Sequence, residues 1–367
     1  MEILEEAQRA AIHFFPGDKV LQIVPFGNGH INDTYMVEVQ DEAGTKKFVL
    51  QRINHQIFKQ PEEVMENILK VTSHLKEKIA SADGDCDRET LTVICGNDGK
   101  PYYKDEEGNY FRANQLIEGA VTYDEVRKPQ DFYESAVAFG HFQSMLADFP
   151  ADQLHETIPG FHDTKSRFQR FCEVVEEDKM GRAAEMEEEI RFVKEHVHLA
   201  EVLGEKQASG ELPLRVTHND TKLNNVMLDE NTGKAVCVID LDTVMPGLAV
   251  NDFGDSIRFG ASTGAEDEPD LSKVECSMEL FDIYTKGFVE GCAGRLTEKE
   301  LRALPLGAIV MTFECGMRFL TDYLEGDVYF KIHREGHNRD RCRTQFKLVD
   351  DMEKKWEQME RIVEKYM

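Results

Sequence analysis

The spacing of apolar residues changes about one third of the way along the chain. Residues 1–117 contain short runs in which apolar and polar positions alternate, a pattern typical of β-strands. The runs lie at about 20–25, 34–39, 47–53, 91–95, 101–104 and 110–117. Helical spacing predicts a short helix at 3–14 and a longer helix after Pro61. This part of the chain therefore predicts an antiparallel sheet with one inserted helix.

From about Asp131 the apolar residues recur mainly at helical spacing. Helices are expected at 132–149, 164–177, 182–203, 271–290, 298–324 and 338–366. A sheet-like stretch at 214–240 interrupts them. The pattern predicts an α+β protein with a small β-rich N-lobe, residues 1–117, and a larger, mainly helical C-lobe, residues 118–367.

The charge balance narrows the range of partners. The chain has 367 residues with 43 Lys and Arg against 70 Asp and Glu, a net charge of −27. Such an acidic surface repels nucleic acid and anionic lipid, so neither is expected as a partner. The eight cysteines form no C-x-x-C pair, the N-terminal stretch lacks the pattern of a signal peptide, and no apolar run approaches the length of a membrane helix. We expect a cytoplasmic protein, monomeric or weakly dimeric.

Polar groups suited to phosphoryl transfer lie in the central stretch. His218, Asp220, Lys222 and Asn225 occupy one short loop, and Asp240 follows an apolar run. Asp220 is the candidate to orient an acceptor hydroxyl and take its proton, and Lys222 to offset charge on the phosphate. The oxygens of Asn225 and Asp240 suit a divalent cation.

Each short motif has a plainer interpretation. H-x-D and D-x-D occur often in solvated turns, but the combined spacing favours a site. Asp242 is either a second metal contact or a loop carboxylate. Asp252 is interpreted mainly as an anchor for a helix starting near Asp255, and Asp255 as a candidate ligand for a sugar hydroxyl.

A turn containing Gly27 and Gly29 joins the first two strands, where it would cover a nucleotide phosphate; ordinary hairpin chemistry is the alternative. The third strand lacks a lysine. Gln51 or Arg52 takes its place, and Arg52 is the predicted phosphate contact. Glu118 lies at the junction of the lobes and is assigned to the nucleotide site. No P-loop motif is present.

Late in the chain, Glu314, Arg318 and Asp322 recur four residues apart on one predicted helix. They form either a surface ladder of ion pairs or a polar wall of the substrate pocket. In the second interpretation, Asp327 and Tyr329 continue that wall beyond the helix end.

Taken together, these motifs resemble the aminoglycoside phosphotransferase and choline kinase superfamily, whose loop is H-x-D-x-x-x-x-N followed by I-D-x-D. Within it, the resemblance is closest to the kinases that phosphorylate N-acetylhexosamines, and it extends from about residue 26 to 350. The strings that carry it are G-x-G-H-I-N-x-T-Y, THNDTKLNN, IDLDTVMPG, DFGDSIRFGAST, ECGMRFL and DYLEGDVYF.

The resemblance implies a protein-kinase-like fold and phosphorylation of the anomeric hydroxyl of N-acetylglucosamine or N-acetylgalactosamine with ATP and Mg²⁺. It implies Asp220 as catalytic base and Asn225 and Asp240 as metal ligands. The positions expected to bind the sugar are Arg318 and Tyr329, while His30 and Asn32 lie in the matching glycine turn. Related enzymes can have glutamine where this chain has Arg52.

Two other functions remain open at this point. A kinase of the same superfamily could act on another small alcohol, such as choline, homoserine, an aminoglycoside or a different sugar. A catalytically silent kinase fold used for binding is the second, although Asp220, Asn225 and Asp240 are all present.

Overall fold

An antiparallel sheet of six strands forms the first part of the structure. The computed structural model describes residues 2–27 and 31–367. The strand order is β1-β2-β3-β6-β4, with β5 paired to β6. The strands are β1 (Lys19–Pro25), β2 (Asp33–Asp41), β3 (Gly44–Ile53), β4 (Val93–Ile94), β5 (Tyr103–Lys104) and β6 (Tyr110–Gln115). All lie where the alternating pattern predicts strands.

The two faces of this sheet serve different purposes. Helix α1 (Glu2–Phe14) packs on one face, where alternate residues such as Val37 of β2 and Leu50 of β3 are buried against its alanines. Because successive side chains of a strand point to opposite faces, the intervening residues point the other way. Thr34, Gln51 and Arg112 therefore share the face opposite α1.

Helix α2 (Pro61–Ser81) links the sheet to the rest of the protein. Its buried residues include the predicted stripe of Val64, Ile68, Val71 and Leu75. They belong to an apolar cluster that also contains residues far along the chain, which are Phe142, Leu146, Leu154, Val216, Leu241 and Val244. The two parts of the protein are thus joined by a common core.

The chain leaves the six-stranded sheet at Gln115 and enters a second, three-stranded sheet at strand β7 (Ala120–Val121). That sheet has the order β10-β9-β7, from β9 (Val226–Asp229) and β10 (Ala235–Val238). The predicted division after residue 117 falls in this connection. It stays a prediction, because the core around α2 crosses it.

Helices make up most of the remaining chain, as predicted. They are α3 (Pro129–Met145), α4 (Thr164–Glu177), α5 (Glu187–Glu195), α6 (His198–Ala208), α7 (Ala249–Gly260), α8 (Met278–Cys292), α9 (Glu298–Arg302), α10 (Leu304–Glu325), α11 (His337–Lys354) and α12 (Trp356–Glu364). Three expected long helices are each divided in two. The break at Ala303 has a clear cause, since Pro305 cannot donate a backbone hydrogen bond and instead lies in the first turn of α10.

Helix α10 is the central helix of this region and packs against α4, α7 and α11. By length and composition it could span a bilayer, contrary to the expectation that no apolar run is long enough. However, 78% of its apolar stretch is buried inside the protein, which is typical of a core helix.

Helix α7 lies unusually close to α10. A Cβ added at Gly254 of α7 would lie 2.3 Å from the carbonyl oxygen of Gly307 in α10. We expect Gly254→Ala to lower the free energy of unfolding by about 1–3 kcal/mol, because backbone atoms must separate to admit the methyl group. Urea denaturation measures the change.

Gly204→Ala is the matched control, because this exposed glycine of α6 has no atom within 4 Å of an added Cβ. It should stabilise the protein by up to about 1 kcal/mol. Equal effects of the two substitutions would show that the α7–α10 contact is not constrained.

Candidate active site

The central loop lies between two short sheets. Strand β8 (Arg215–Thr217) pairs with β11 (Met245–Gly247), and the loop from His218 leads through a 3₁₀ turn, Leu223–Asn225, into β9. Strand β10 then returns antiparallel to β9 and ends before Asp240. The polar groups predicted to act together therefore lie on either side of one β-hairpin, as the sequence indicates.

Asp220 is in contact with both of its predicted neighbours in the loop. One carboxylate oxygen lies 2.7 Å from the Lys222 ammonium, and the other accepts a 3.1 Å hydrogen bond from the Asn225 amide. Burial alone would raise the pKa of Asp220, but the Lys222 charge holds it below its ordinary value. In turn, Asp220 raises the pKa of Lys222. The base candidate is thus an ionised carboxylate paired with an ammonium.

His218 supports the loop from within the core. Its Nε2 lies 2.9 Å from the carbonyl oxygen of Ile239, so it donates there, and Nδ1 then accepts from the backbone N–H of Asp220 at 3.3 Å. The ring packs edge-on against Phe139 and Phe142 and is fully buried. The side chain connects the loop to the end of β10, so the structure gives it a bracing position.

Asp252 holds the backbone at the start of the loop. This buried carboxylate of α7 accepts hydrogen bonds from the backbone N–H groups of His218, at 2.9 Å, and Asn219, at 2.8 Å. The Gln143 amide donates a third bond at 2.8 Å. Asp252 is predicted to anchor a helix, and it instead anchors the loop. The helix that contains Asp252 begins earlier than predicted, at Ala249.

Asp255 continues this support rather than facing a substrate. One oxygen accepts the backbone N–H of Thr221 at 3.0 Å, and the other accepts from the buried Arg258 guanidinium at 2.9 and 3.1 Å. Ser256 donates to the Thr221 carbonyl at 2.6 Å. The predicted role of Asp255 as a sugar ligand is therefore not favoured by its geometry, because protein groups already occupy both oxygens.

Asp240 has the environment expected of a metal ligand. It adopts a left-handed backbone conformation (φ 60°), which is uncommon for a residue other than glycine and occurs often at functional sites. The residue is exposed to solvent. The pKa of Asp240 is raised to about 6, because the surrounding protein reduces solvation of its carboxylate and the carboxylates of Asp242 and Asp220 repel its charge. A divalent cation would offset this repulsion.

The Asn225 amide also fits a cation. Its nitrogen donates to the backbone and side-chain oxygens of Asp220, at 2.8 and 3.1 Å, which leaves the amide oxygen as an acceptor. The Ile239 N–H donates to the Asn225 carbonyl at 2.9 Å, so Asn225 and Asp240 are held side by side. No group of three His, Cys, Asp or Glu side chains suited to a metal occurs among residues 2–27 and 31–367. Magnesium commonly takes only one or two carboxylates and adds substrate phosphates.

Asp242 is a carboxylate of the turn after β10, which is one of its two predicted roles, and it is buried. It forms a buried ion pair with Arg112 of β6, and its second oxygen accepts from the Asn32 amide at 2.7 Å. Asn32 in turn accepts the backbone N–H of Asn54 at 2.9 Å. Sequence reasoning missed Arg112, although a charged residue within a buried, strand-like run is a signal that could have been noticed. Asn32, predicted to bind substrate, is thus engaged by the protein.

Arg52 does not reach the cleft, which is the region between the sheet face that carries Arg112 and the turn that carries Asp240 and Asp242. It lies on the α1 face of the sheet, paired with Glu6 at 3.1 Å and Asp33 at 2.6 Å. The prediction that Arg52 contacts phosphate is therefore not supported by its position, and Gln51 faces the cleft instead. The reason is the alternation of the strand, which sends adjacent side chains to opposite faces.

The other predicted nucleotide contacts lie near the first hairpin and the connection between the sheets. Gly27 has φ +73°, a conformation that favours glycine, while Gly29 and His30 lie outside the described residues. Glu118 is exposed near the 116–119 connection, 3.9 Å from Lys47. Their roles stay predictions.

Arg318 lies on α10 among aromatic rings. Its guanidinium carbon is 5.6 Å from the ring centre of Phe161, 5.9 Å from Tyr329 and 5.4 Å from Phe330. Among the carboxylates that the structure describes, none lies within ion-pair distance of it. The half-buried Arg318 therefore offers a charged, hydrogen-bonding surface between apolar walls.

The predicted ladder of Glu314, Arg318 and Asp322 does not form. Glu314 is buried and accepts from His162 at 2.9 Å and Thr164 at 2.6 Å. The Glu314 carboxylate also lies 3.6 Å from the Arg167 guanidinium. Burial and the nearby Arg318 guanidinium both lower the pKa of Arg167. The alternative interpretation, a polar wall of the substrate pocket, stays a prediction.

Asp322 positions the segment after α10. It accepts the backbone N–H groups of Val328, Tyr329 and Phe330 at 2.7–3.0 Å. Asp327, predicted to bind substrate, is instead paired with Arg182 at 2.8 Å and bonded to the Asn338 amide at 3.0 Å. Tyr329 is exposed. Of the two, only Tyr329 remains available to a substrate.

Comparison with known proteins agrees with the fold and the motif spacing. The sequence model of the phosphotransferase enzyme family (APH) matches residues 22–275, more than half of the chain, so the chain belongs to this family.

Solved structures of similar fold cover nearly the whole chain. An aminoglycoside phosphotransferase from Alicyclobacillus acidocaldarius subsp. acidocaldarius DSM 446 superposes with a TM-score of 0.62 at 11% identity, covering 98% of this chain and 96% of that one. An amicoumacin kinase in complex with AMP-PNP and Ca²⁺ superposes with a TM-score of 0.57 at 13% identity, covering 95% of this chain and 92% of that one. Choline kinase from Cryptosporidium parvum Iowa II superposes with a TM-score of 0.52 at 16% identity, covering 93% of this chain and 91% of that one. The predicted protein-kinase-like fold is confirmed.

The wall around Glu314 should make stability depend on pH. Burial opposes ionisation of Glu314, but His162 and the nearby arginines lower its pKa from 4.5 to about 2. Such a shift contributes about 3 kcal/mol to stability above pH 4.5, and this contribution disappears as pH falls towards 2. The stability difference between the wild type and Glu314→Gln should therefore shrink between pH 5 and pH 3 in urea titrations. Glu298→Gln, whose side chain is 71% exposed, is the control and should show no such trend. A Glu314 difference independent of pH would contradict the assignment.

Proposed function

We propose that this chain is an N-acetylhexosamine 1-kinase. It transfers the γ-phosphoryl group of ATP to the anomeric hydroxyl of N-acetylglucosamine or N-acetylgalactosamine. The observation that carries the acceptor assignment is Arg318, a half-buried guanidinium beside aromatic rings and without a carboxylate partner among the described residues. Membership of the APH family supports the phosphotransferase part of the proposal.

The electrostatics of the wall favour a neutral acceptor over a cationic one. Arg318 and Arg167 lie close together, and among the described residues Glu314 is the carboxylate in ion-pair contact with Arg167. A quaternary ammonium or polyamine substrate would meet net repulsion there. A neutral sugar with an acetamido carbonyl and several hydroxyls can accept hydrogen bonds from a guanidinium and stack on Tyr329 or Phe330.

Asp220 is the proposed catalytic base. The acceptor hydroxyl donates a hydrogen bond to its free lone pairs, its oxygen attacks the γ-phosphorus, and the bond from that phosphorus to the bridging oxygen breaks to release ADP. The proton of the acceptor passes to Asp220. A carboxylate of low pKa suffices, because the anomeric hydroxyl is more acidic than an ordinary alcohol and proton transfer is late in a loose transition state.

Lys222 is the proposed partner of the transferring phosphoryl group, since its ammonium lies 2.7 Å from the base. Asn225 and Asp240 would hold Mg²⁺, which when bound neutralises charge on the phosphate oxygens. The similar amicoumacin kinase structure holds AMP-PNP and Ca²⁺, which supports a nucleotide and a divalent cation as cofactors here. Gly27, Gly29 and Glu118 are proposed to line the nucleotide site, with His30 and Tyr329 nearer the sugar.

The chain would act as two lobes, residues 1–117 and 118–367, as a monomer or weak homodimer in the cytoplasm. Its net charge of −27 makes nucleic acid and anionic membranes unsuitable partners.

An acceptor screen tests the proposal directly. ADP release would be followed with hexoses, N-acetylhexosamines, homoserine, choline and aminoglycosides, and phosphorus NMR would locate the phosphate. We expect the highest kcat/KM for N-acetylhexosamines and a 1-phosphate product. Arg318→Gln should raise KM for the sugar and leave ADP binding unchanged. A 6-phosphate product, or faster turnover of choline or an aminoglycoside, would refute the assignment.

Asp220→Asn should lower kcat by about 10²–10⁴-fold, because the amide cannot accept the proton. Binding of Mg-ADP, measured by calorimetry, should persist. Asp83→Asn is the matched control, since this exposed residue has φ 58°, which asparagine tolerates. Near wild-type turnover by Asp220→Asn would exclude it as the base.

A further inference from the structure

Beside Arg112, the face of β3 opposite α1 carries no cation. Gln51 lies on the face opposite α1, where it accepts a hydrogen bond from Arg112, and Arg52 faces α1. Lys47, which shares the face of Gln51, lies at the other end of the strand beside Glu118. Strand β3 therefore presents an amide where phosphate charge would have to be offset.

A guanidinium from the next strand lies beside this amide. Arg112 of β6 is directly opposite Gln51 in the antiparallel register, and its Nε donates to the Gln51 carbonyl oxygen at 2.9 Å. The Gln51 amide nitrogen donates to the Thr34 hydroxyl at 3.1 Å. These three side chains form a row across β2, β3 and β6. Because Gln51 is held by Thr34, its carbonyl oxygen is oriented to receive Arg112.

The charge of Arg112 is held close to the proposed metal site. Its Nη1 pairs with Asp242, two residues after Asp240, and both side chains of the pair are 4% exposed. The Asn32 amide binds the other oxygen of Asp242. The guanidinium thus lies among β6, Asn32 and the turn that follows β10.

Two properties of this group suit a phosphate. Among the hydrogen bonds that Arg112 makes to described residues, Nε and Nη1 are the donors, so the Nη2 donors are still unused. A planar guanidinium matches phosphate oxygens well. A buried ion pair alone is a weak source of stability, so stability does not by itself explain this one.

We propose that Arg112 binds a phosphate group of the nucleotide from β6, in place of the cation that β3 lacks, and that Gln51 and Asp242 position its guanidinium. The inference rests on the nucleotide site of the proposed function and is independent of which alcohol accepts the phosphate.

Binding experiments without any acceptor test this inference. Arg112→Gln should weaken Mg-ATP and Mg-ADP about ten- to a hundredfold in calorimetry, while adenosine, which lacks phosphates, binds as to the wild type. Because Arg112→Gln leaves Asp242 without its partner, the decisive protein is the double variant Arg112→Gln/Asp242→Asn. It should recover the wild-type melting temperature and retain the weak Mg-ATP binding.

Arg52→Gln is the matched control, an arginine on the opposite face of the same sheet. It should leave the affinities for Mg-ATP and adenosine unchanged. Wild-type Mg-ATP affinity in the double variant would overturn the inference and leave Arg112 only the task of neutralising Asp242. Equal weakening of adenosine and Mg-ATP would also overturn it. Neither result depends on the identity of the acceptor, so a failed acceptor screen would be a separate outcome.

Discussion

The geometry of the site depends on one buried carboxylate, Asp252. It accepts the backbone N–H groups of His218 and Asn219 and so determines how the loop leaves β8. Burial raises the pKa of Asp252, which the three hydrogen bonds partly oppose. Asp220 is the residue after Asn219, so the contact with Asp252 also fixes the position of Asp220. Helix α7, which supplies Asp252, is in turn held against α10 by the close approach of Gly254 and Gly307.

A strongly acidic protein needs local positive charge to handle a nucleotide. Two cations from different elements are proposed to provide it, Lys222 from the central loop and Arg112 from β6, while Arg318 from α10 is proposed to contact the acceptor. Lys222 and Arg112 are each paired with one carboxylate, Asp220 and Asp242. Arg318 lies beside aromatic rings and near Arg167, and among the described residues it forms no ion pair with a carboxylate. The two paired cations, Lys222 and Arg112, lie near the candidate metal ligands. Arg318 belongs to the region proposed to bind the acceptor. In this proposal, different cations therefore neutralise phosphate charge and select the acceptor.

Patterns of short period predicted much of the architecture. Alternation located the strands, and the spacing of Val64 to Leu75 located α2, because each pattern reflects a single buried face. The same alternation excludes Arg52 from the cleft once it is known that Tyr35, Val37 and Leu50 pack on α1. Spacing alone does not say which face that is. Likewise, the expected ladder of Glu314 and Arg318 failed because helical spacing makes two side chains neighbours without deciding that they pair.

The sequence by itself determined the order of Asp220, Lys222, Asn225 and Asp240, since these groups lie within one loop and one hairpin and short-range geometry brings them together. The tertiary structure decided which other polar residues are free. Asp242, Asp255 and Asp327 have partners on other segments, and Asp242 pairs with a residue 130 positions away. Such pairing depends on how the sheet, the central loop and the helices pack, and no local pattern specifies it. For the same reason Arg112 became a candidate only when β6 was placed beside Gln51.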